Sequence, residues 1–295
     1  MDHHEVFREF RPQRPEIPDG CVQDSFLGTV RRDYVLQIDG YSDQDQDFGD
    51  YPRFDEEYYE WIDLLESVGA ADGSYTFMEL GAGFGRWAIR AGFAAVQRGG
   101  LDVKLVAAEP EHTHYLWMED HFILNGFKPQ DHWLIESVVN DVGGTVSFTI
   151  ADESVSSQPD KWYGQAMVGG WRVAARKAVG ALSPKRAPRW NVAKVPAMSL
   201  TTVLEKCELV DLADLDVQGA ELIILEAGIA RVNSQIRRLH LGTHSTAIEV
   251  GLRKLMSTNR WECLADWPGR QANETPYGTS DFGDGAQTWL NPRLT

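Results

Sequence analysis

The residues best equipped for chemistry fall in two clusters of the chain. The first is Gly81-Ala82-Gly83-Phe84-Gly85, three glycines in five positions, directly behind the apolar run "YTFMEL" (75–80) that contains Glu79. Glycines behind a strand let the backbone turn tightly and let a ligand approach closely. A dinucleotide fingerprint reads G-x-G-x-x-G, with a pyrophosphate against the next helix N-terminus. Here the third glycine arrives one residue early and position 86 is Arg. A carboxylate at Glu79 opposes a pyrophosphate but suits a cofactor that carries an ammonium and no phosphate, such as S-adenosylmethionine. The strand-like "LVAAEP" then ends in Glu109, 24 residues beyond Gly85, where an acid can accept both ribose hydroxyl hydrogens. The bland alternative is a tight strand-to-helix turn with no ligand.

The second cluster spans "DLADLDVQGAELIILEAG" (211–228) and "HLGTHS" (240–245). His244 is the best candidate base, because an unperturbed imidazole titrates near 6.5; its structural alternative is a cap on the following helix or a bond to a neighbouring loop. Asp216 can accept a proton, orient His244 or contact the cofactor amine, or merely cap a helix that begins near Gln218. Glu221 falls in that helix's first turn, where the dipole favours a carboxylate. Asp214 and Asp216 alternate and so share a face of the strand. Two carboxylates on one rim leave a divalent metal open, but no third oxygen ligand is evident and no metal is expected. His112, His114, His121 and His132 have no recognised ligand spacing and lie in or after a helix expected to face solvent. Among the many aromatic residues, most read as core; Trp162 and Tyr163 alone are candidate acceptor contacts.

These residues need a scaffold, and the chain alternates strand and helix patterns around them. "DEEYYEWIDLLESVGA" from Asp55 has acids in its first turn and apolar residues at helical spacing. Strand-like and helical stretches then follow one another, and "RWECLAD" to "AQTWLNPR" reads as a closing pair of strands. Alternating βα units predict an α/β fold, a mostly parallel, doubly wound sheet with helices on both faces. In such sheets ligands sit beyond the C-terminal strand ends, where Asp216 and His244 fall. Residues 1–54 read as an irregular arm with short β pieces such as "RDYVLQI" (32–38), and 55–295 as the main domain. Within it, 151–198 is an insertion whose stretch from Lys161 to Lys194 holds eight basic residues and no acid. It is either a solvated face or a lid or docking surface for an anionic partner.

The 295 residues carry a formal net charge of −16, against nonspecific nucleic-acid binding. No stretch is apolar enough for a membrane span or a signal core, and three dispersed cysteines suit a reducing, cytoplasmic compartment. Oligomeric state is left open.

The loop "MELGAGFGRW", the stretch "AAEPEHTHYLWMEDHFILNGF", the junction "DLADLDVQGAELIILEAG", "HLGTHS" and the ending "GDGAQTWLNPRL" together resemble the FkbM-type S-adenosylmethionine-dependent methyltransferases. The matches cover roughly 75–150 and 199–293; the arm and the basic segment are unmatched. Many relatives have Asn at the position of Gly83 and Lys at that of Asp214. The resemblance implies a Rossmann-like class I methyltransferase fold, with a seven-stranded sheet whose last strand is antiparallel. It implies cofactor contacts from Glu79, Gly81, Ala82, Gly83, Gly85, Glu109, Pro110, Ser137, Val138 and Asp216. Independently of the resemblance, the residues themselves assign catalysis to His244 and Asp216, and acceptor contacts to Trp162, Tyr163, Gln218 and Glu221. The implied activity is O-methylation of a small molecule, a sugar or secondary metabolite, anionic ones included. N-methylation, a partner-binding protein on the same scaffold and a nicotinamide-dependent oxidoreductase are the alternatives.

Overall fold

The computed structural model describes residues 3–35, 49–151, 165–166 and 190–294. Its centre is a seven-stranded sheet made of β1 (Ser74–Leu80), β2 (Asp102–Ala108), β3 (Trp133–Ile135), β4 (Val210–Leu215), β5 (Ile236–Thr243), β6 (Glu262–Trp267) and β7 (Gly285–Leu290). Their spatial order is β6-β7-β5-β4-β1-β2-β3. Strands β1 to β5 pair in parallel, whereas β7 is antiparallel to both β5 and β6. This is the α/β, mostly parallel sheet the sequence pattern predicts. The chain winds outward from β1 to β3 and then from β4 in the other direction. The crevice between β1 and β4 is therefore the topological switch point, where open sheets bind ligands.

Helices α1 (Glu57–Ala70), α2 (Arg86–Arg98) and α3 (His112–Leu124) cover one face, and α4 (Leu200–Leu204), α5 (Glu221–Gln235) and α6 (Thr246–Thr258) cover the other. Period-two alternation sends Tyr75, Phe77, Leu105 and Leu212 into the first layer, against Leu64, Ile89 and Phe122. Met78, Leu80, Ala213, Leu239 and Leu241 enter the second, against Ile224, Leu225 and Met256. Each such large side chain contributes about 1.5–3 kcal/mol on burial. The same alternation puts four polar residues on the first face. Glu79, Asp214, His240 and Thr288 are in-register neighbours across β1, β4, β5 and β7, and each is buried.

Helix α3 does not present all its histidines to solvent as expected. His121 is 3% exposed and its Nδ1 lies 3.0 Å from the Phe84 carbonyl oxygen; burial pulls its pKa down to about 4. The N-terminal arm is more ordered than its turn-rich composition suggested. It forms a 3₁₀ turn at Glu5–Arg8 and an antiparallel pair of Cys21–Gln23 with Val30–Arg32, so the strand expected at 32–38 ends at Arg32. Phe7, Phe26 and Leu27 join the first core layer. A smaller sheet stands beside the main one. In it Gly144–Ala151 runs antiparallel to Trp190–Ser199, from Gly144 opposite Ala197 to Ala151 opposite Trp190. Most of the basic segment, including Trp162 and Tyr163, lies outside the described residues. Among the described residues no helix is long and apolar enough to cross a membrane.

Candidate active site

The loop after β1 is shaped by close approach. Gly81 has φ +88°, and a Cβ there would lie 1.9 Å from the carbonyl oxygen of Asp216. Only glycine tolerates both conditions. The amides of Gly81 and Ala82 both donate to the Ala108 carbonyl, at 3.0 and 2.9 Å, which ties the loop to the end of β2. Gly85 starts α2 in the left-handed region, with Met118 and Phe122 of α3 packed where a side chain would go.

Glu109 locks this geometry from the neighbouring strand. Its Oε2 accepts from Gly83 N at 2.9 Å and its Oε1 from Glu111 N at 2.8 Å. Each oxygen keeps a lone pair, so Glu109 both braces the glycine loop and remains an acceptor. Gly81, Gly83, Glu109, Pro110, Ser137, Val138, Asp216 and Gln218 line one cleft, with Val139, Phe148 and Val217 among its apolar walls. These eight are sequence-predicted residues, brought together at the switch point.

A second, larger cavity of about 410 Å³ adjoins the cleft and shares Gly81, Gly83, Asp216 and Gln218 with it. Its lining carries seven carboxylates, Glu56, Glu57, Glu60, Glu79, Asp214, Asp216 and Asp284, with Arg86 and His240. Arg86 is already paired, 2.6 Å from Glu57 and 3.2 Å from Asp24. The cavity is therefore built for a neutral or cationic group, and its charge is opposite to what an anionic acceptor requires. Glu79 faces this cavity rather than the cleft. Its carboxylate accepts from Ala88 N at 2.8 Å and from Trp87 N at 3.4 Å, at the start of α2. Burial, reinforced by Asp214, holds its pKa well above the ordinary carboxylate range.

On the far rim, His244 sits among three carboxylates. Its Nδ1 lies 2.9 Å from Oε1 of Glu221. Its Nε2 lies 3.2 Å from Oδ1 of Asp216, out of line for a hydrogen bond, and 3.7 Å from Asp284. Burial works against charging the ring, but Asp216 and Glu221 outweigh it and push the pKa up to about 10. The imidazole is thus a cation at neutral pH and not the free base its intrinsic pKa suggested. Neither residue caps a helix: Ser245 caps α6, accepting from Ile248 N at 3.3 Å, and α5 has no side-chain cap from Asp216. Glu221 is fully buried, with its Oε1 against His244, so in this structure it faces the histidine and lines neither space. Gln218 adopts φ +55°, an uncommon conformation for a non-glycine residue, and donates from Nε2 to Asp216 at 3.1 Å.

Glu60, Asp63, His240 and Asp284 were not singled out in the sequence. Glu60 and Asp63 are three residues apart on a helix whose apolar face is buried, the one sequence signal that could have marked them. His240 and Asp284 become site residues only through strand pairing and the return of the chain to β7.

No family model matches the chain. A curated protein named "Putative methyltransferase" from Jannaschia sp. (strain CCS1) is 27% identical over 209 residues, which cover 71% of this chain and 70% of that protein. Among solved structures, M. capricolum TrmK in complex with S-adenosyl-homocysteine aligns with a TM-score of 0.38 and 8% identity, over 78% of this chain and 67% of that one. The C-terminal domain of precorrin-6Y C5,15-methyltransferase from Rhodobacter capsulatus aligns at 0.42 and 9%, over 86% and 98%. Methyltransferase FkbM from Methylobacillus flagellatus KT aligns at 0.43 and 12%, over 75% of this chain and 45% of that one.

Proposed function

We propose that the chain is an S-adenosylmethionine-dependent methyltransferase of the FkbM type that methylates a hydroxyl of a small molecule, a sugar or secondary metabolite. The observation that carries this is the joining of two spaces at the switch point. A narrow apolar cleft braced by Glu109 opens, through Gly81, Gly83, Asp216 and Gln218, onto a wide acidic cavity. The cleft suits an adenosine and the acidic side suits an ammonium and a sulfonium. The name of the 27% identical relative supports the same class.

The residues fit such a cofactor on the chemistry of the lining: Glu109, braced by the amides of Gly83 and Glu111, keeps acceptor capacity in a cleft whose other walls are largely apolar. When bound, the cofactor supplies an electrophilic methyl group on sulfur. Glu109 would accept from the ribose hydroxyls, and Ser137 and Val138 would wall the cleft around it. The protein's remaining tasks are to align acceptor oxygen, methyl and sulfur in line, and to take the acceptor's proton. Asp216 is the half-exposed carboxylate on the shared rim, with its side chain 51% accessible. It takes that proton, and the His244 cation, held by Glu221, lies 3.2 Å from it and compensates its charge. His244 thereby moves from base to electrostatic partner.

The seven carboxylates favour a second reading, N-methylation of an amine held as its ammonium in the same cavity. Calorimetric titration with S-adenosylhomocysteine tests the class; one saturable site is expected, and its absence in folded protein overturns the proposal. A turnover screen of neutral polyols against aliphatic amines then separates the two acceptor readings.

A further inference from the structure

A second histidine reaches the acidic cavity, and the mechanism above does not use it. His240, on β5, has a side chain only 6% exposed and lines the cavity wall. Its Nδ1 lies 2.7 Å from Oδ2 of Asp63 on α1. Asp63 is itself fixed as an acceptor, because Arg238 donates to its Oδ1 at 3.2 Å and the Thr288 hydroxyl donates to its Oδ2. Nδ1 therefore carries a hydrogen, and Nε2 has no hydrogen-bond partner among the described residues. Nε2 is therefore the ring nitrogen left to bind an ion at the cavity wall. A buried imidazole whose other nitrogen is held by a carboxylate is the usual arrangement of a metal-ligating histidine.

Two carboxylates complete the group. Asp214 is the in-register neighbour of His240 on β4, and Glu60 lies one turn before Asp63 on α1. One ligand atom from each of Glu60, Asp214 and His240 lies within 4.8 Å of the other two. Three ligands held at about 2.1 Å from a single ion stand about 3.0–3.6 Å from one another, so the side chains need to close by at most about 1–2 Å, within reach of rotamer adjustment. The other such group, Asp216, Glu221 and His244, is a poorer host. Both ring nitrogens of His244 already face carboxylates, Nδ1 at 2.9 Å from Glu221 and Nε2 at 3.2 Å from Asp216.

We propose that Glu60, Asp214 and His240 bind one divalent cation of the Mn²⁺ and Zn²⁺ class in the wall of the acidic cavity. A donor set of two carboxylate oxygens and one imidazole nitrogen suits these ions, and three protein ligands leave a position open toward the cavity. An acceptor hydroxyl in that position has its proton affinity lowered, which prepares it for transfer to Asp216. That role rests on the O-methyltransferase reading; the binding of the ion does not.

The test uses the full chain after dialysis against chelator, titrated with Mn²⁺ and followed by calorimetry and by electron paramagnetic resonance. One ion per chain is expected, with a histidine nitrogen coupling in the pulsed spectrum. Glu60→Gln and His240→Gln each weaken binding at least about tenfold, and His240→Gln also removes the nitrogen coupling. Asp216→Asn, which removes a nearby charge but no ligand, changes Mn²⁺ affinity by no more than a few-fold. Absence of both Mn²⁺ and Zn²⁺ binding in folded protein overturns the proposal. So does binding that is lost in Asp216→Asn or His244→Gln and retained in Glu60→Gln and His240→Gln. S-adenosylhomocysteine is titrated separately into the same metal-free protein. Its binding without any metal binding overturns the metal site alone, and the reverse result overturns the cofactor reading alone.

Discussion

Oε1 of Glu221 lies 2.9 Å from Nδ1 of His244, and Glu221 has no exposure to solvent. A buried carboxylate in that position does two things at once. It fixes the imidazole with Nδ1 protonated, and it stabilises the charged ring against the cost of burial, with Asp216 helping from the other side.

The first prediction is a titration. The imidazole signal of His244, followed by NMR, should have a midpoint near 10, far above an ordinary histidine. Glu221→Gln should bring it down by more than one unit, and a midpoint near 6.5 in the unaltered protein would overturn the ion-pair description. The linkage has a definite sign. A folded pKa above the unfolded one adds stability that is complete below about 6.5 and is lost as pH rises through about 10. The chain should therefore become easier to unfold with urea between neutral pH and pH 10, and Glu221→Gln should flatten that slope.

Asp216 carries the second prediction. Asp216→Asn keeps the shape of the rim but removes the proton acceptor, so kcat should fall by about 10²- to 10⁴-fold. Affinity for S-adenosylhomocysteine should change by only a few-fold, since Glu109 and the glycine loop are untouched. His244→Gln should lower kcat less than Asp216→Asn does, because the histidine acts through its charge. Normal turnover in Asp216→Asn would remove this residue from the chemistry.

Gly81→Ala supplies the third. The new methyl group would meet the Asp216 carbonyl at 1.9 Å with φ at +88°, so β1 and the segment after β4 must separate. A loss of at least about 2 kcal/mol in stability is expected, together with loss of cofactor binding. Chemical denaturation and calorimetry on the same variant check both; a stable variant that binds normally would show that the close approach is dispensable.

Much of this site was legible in the chain because it depends on local spacing. The glycine loop, Glu109 and Asp216 each follow a strand, and the fold sends every such junction to one rim. The layers were readable for the same reason, since alternation in "YTFMEL" separates Tyr75 and Phe77 from Met78 and Leu80. His244 was found but its protonation was not, because three carboxylates from distant positions converge on it. The polar row Glu79, Asp214, His240 and Thr288 was invisible, since it exists only once β1, β4, β5 and β7 pair in register. Asp63 and Glu60 looked like ordinary helix acids for want of that row beneath them.

The last prediction concerns the arm, whose turn-rich sequence hid a buried clasp. Asp24 has no exposed surface and lies 2.8 Å from Arg31, 3.2 Å from Arg86 and 3.4 Å from Arg90. Arg86 and Arg90 belong to α2, directly after the glycine loop, so the arm braces the helix that carries the loop. Burial alone would raise the Asp24 carboxyl, but the three guanidinium groups overcome it and hold the pKa at about 2. A folded pKa below the unfolded one gives stability present above about 3.9 and lost as pH falls through about 2. Asp24→Asn should cost about 3–5 kcal/mol, because it leaves buried guanidinium groups short of a counter-charge. It should also weaken S-adenosylhomocysteine binding, although Asp24 lines neither the cleft nor the cavity. Urea denaturation of the variant gives the first quantity and calorimetry the second. A variant as stable as the parent would mean that Glu57, which also pairs with Arg86 and Arg90, holds α2 in place without help from the arm.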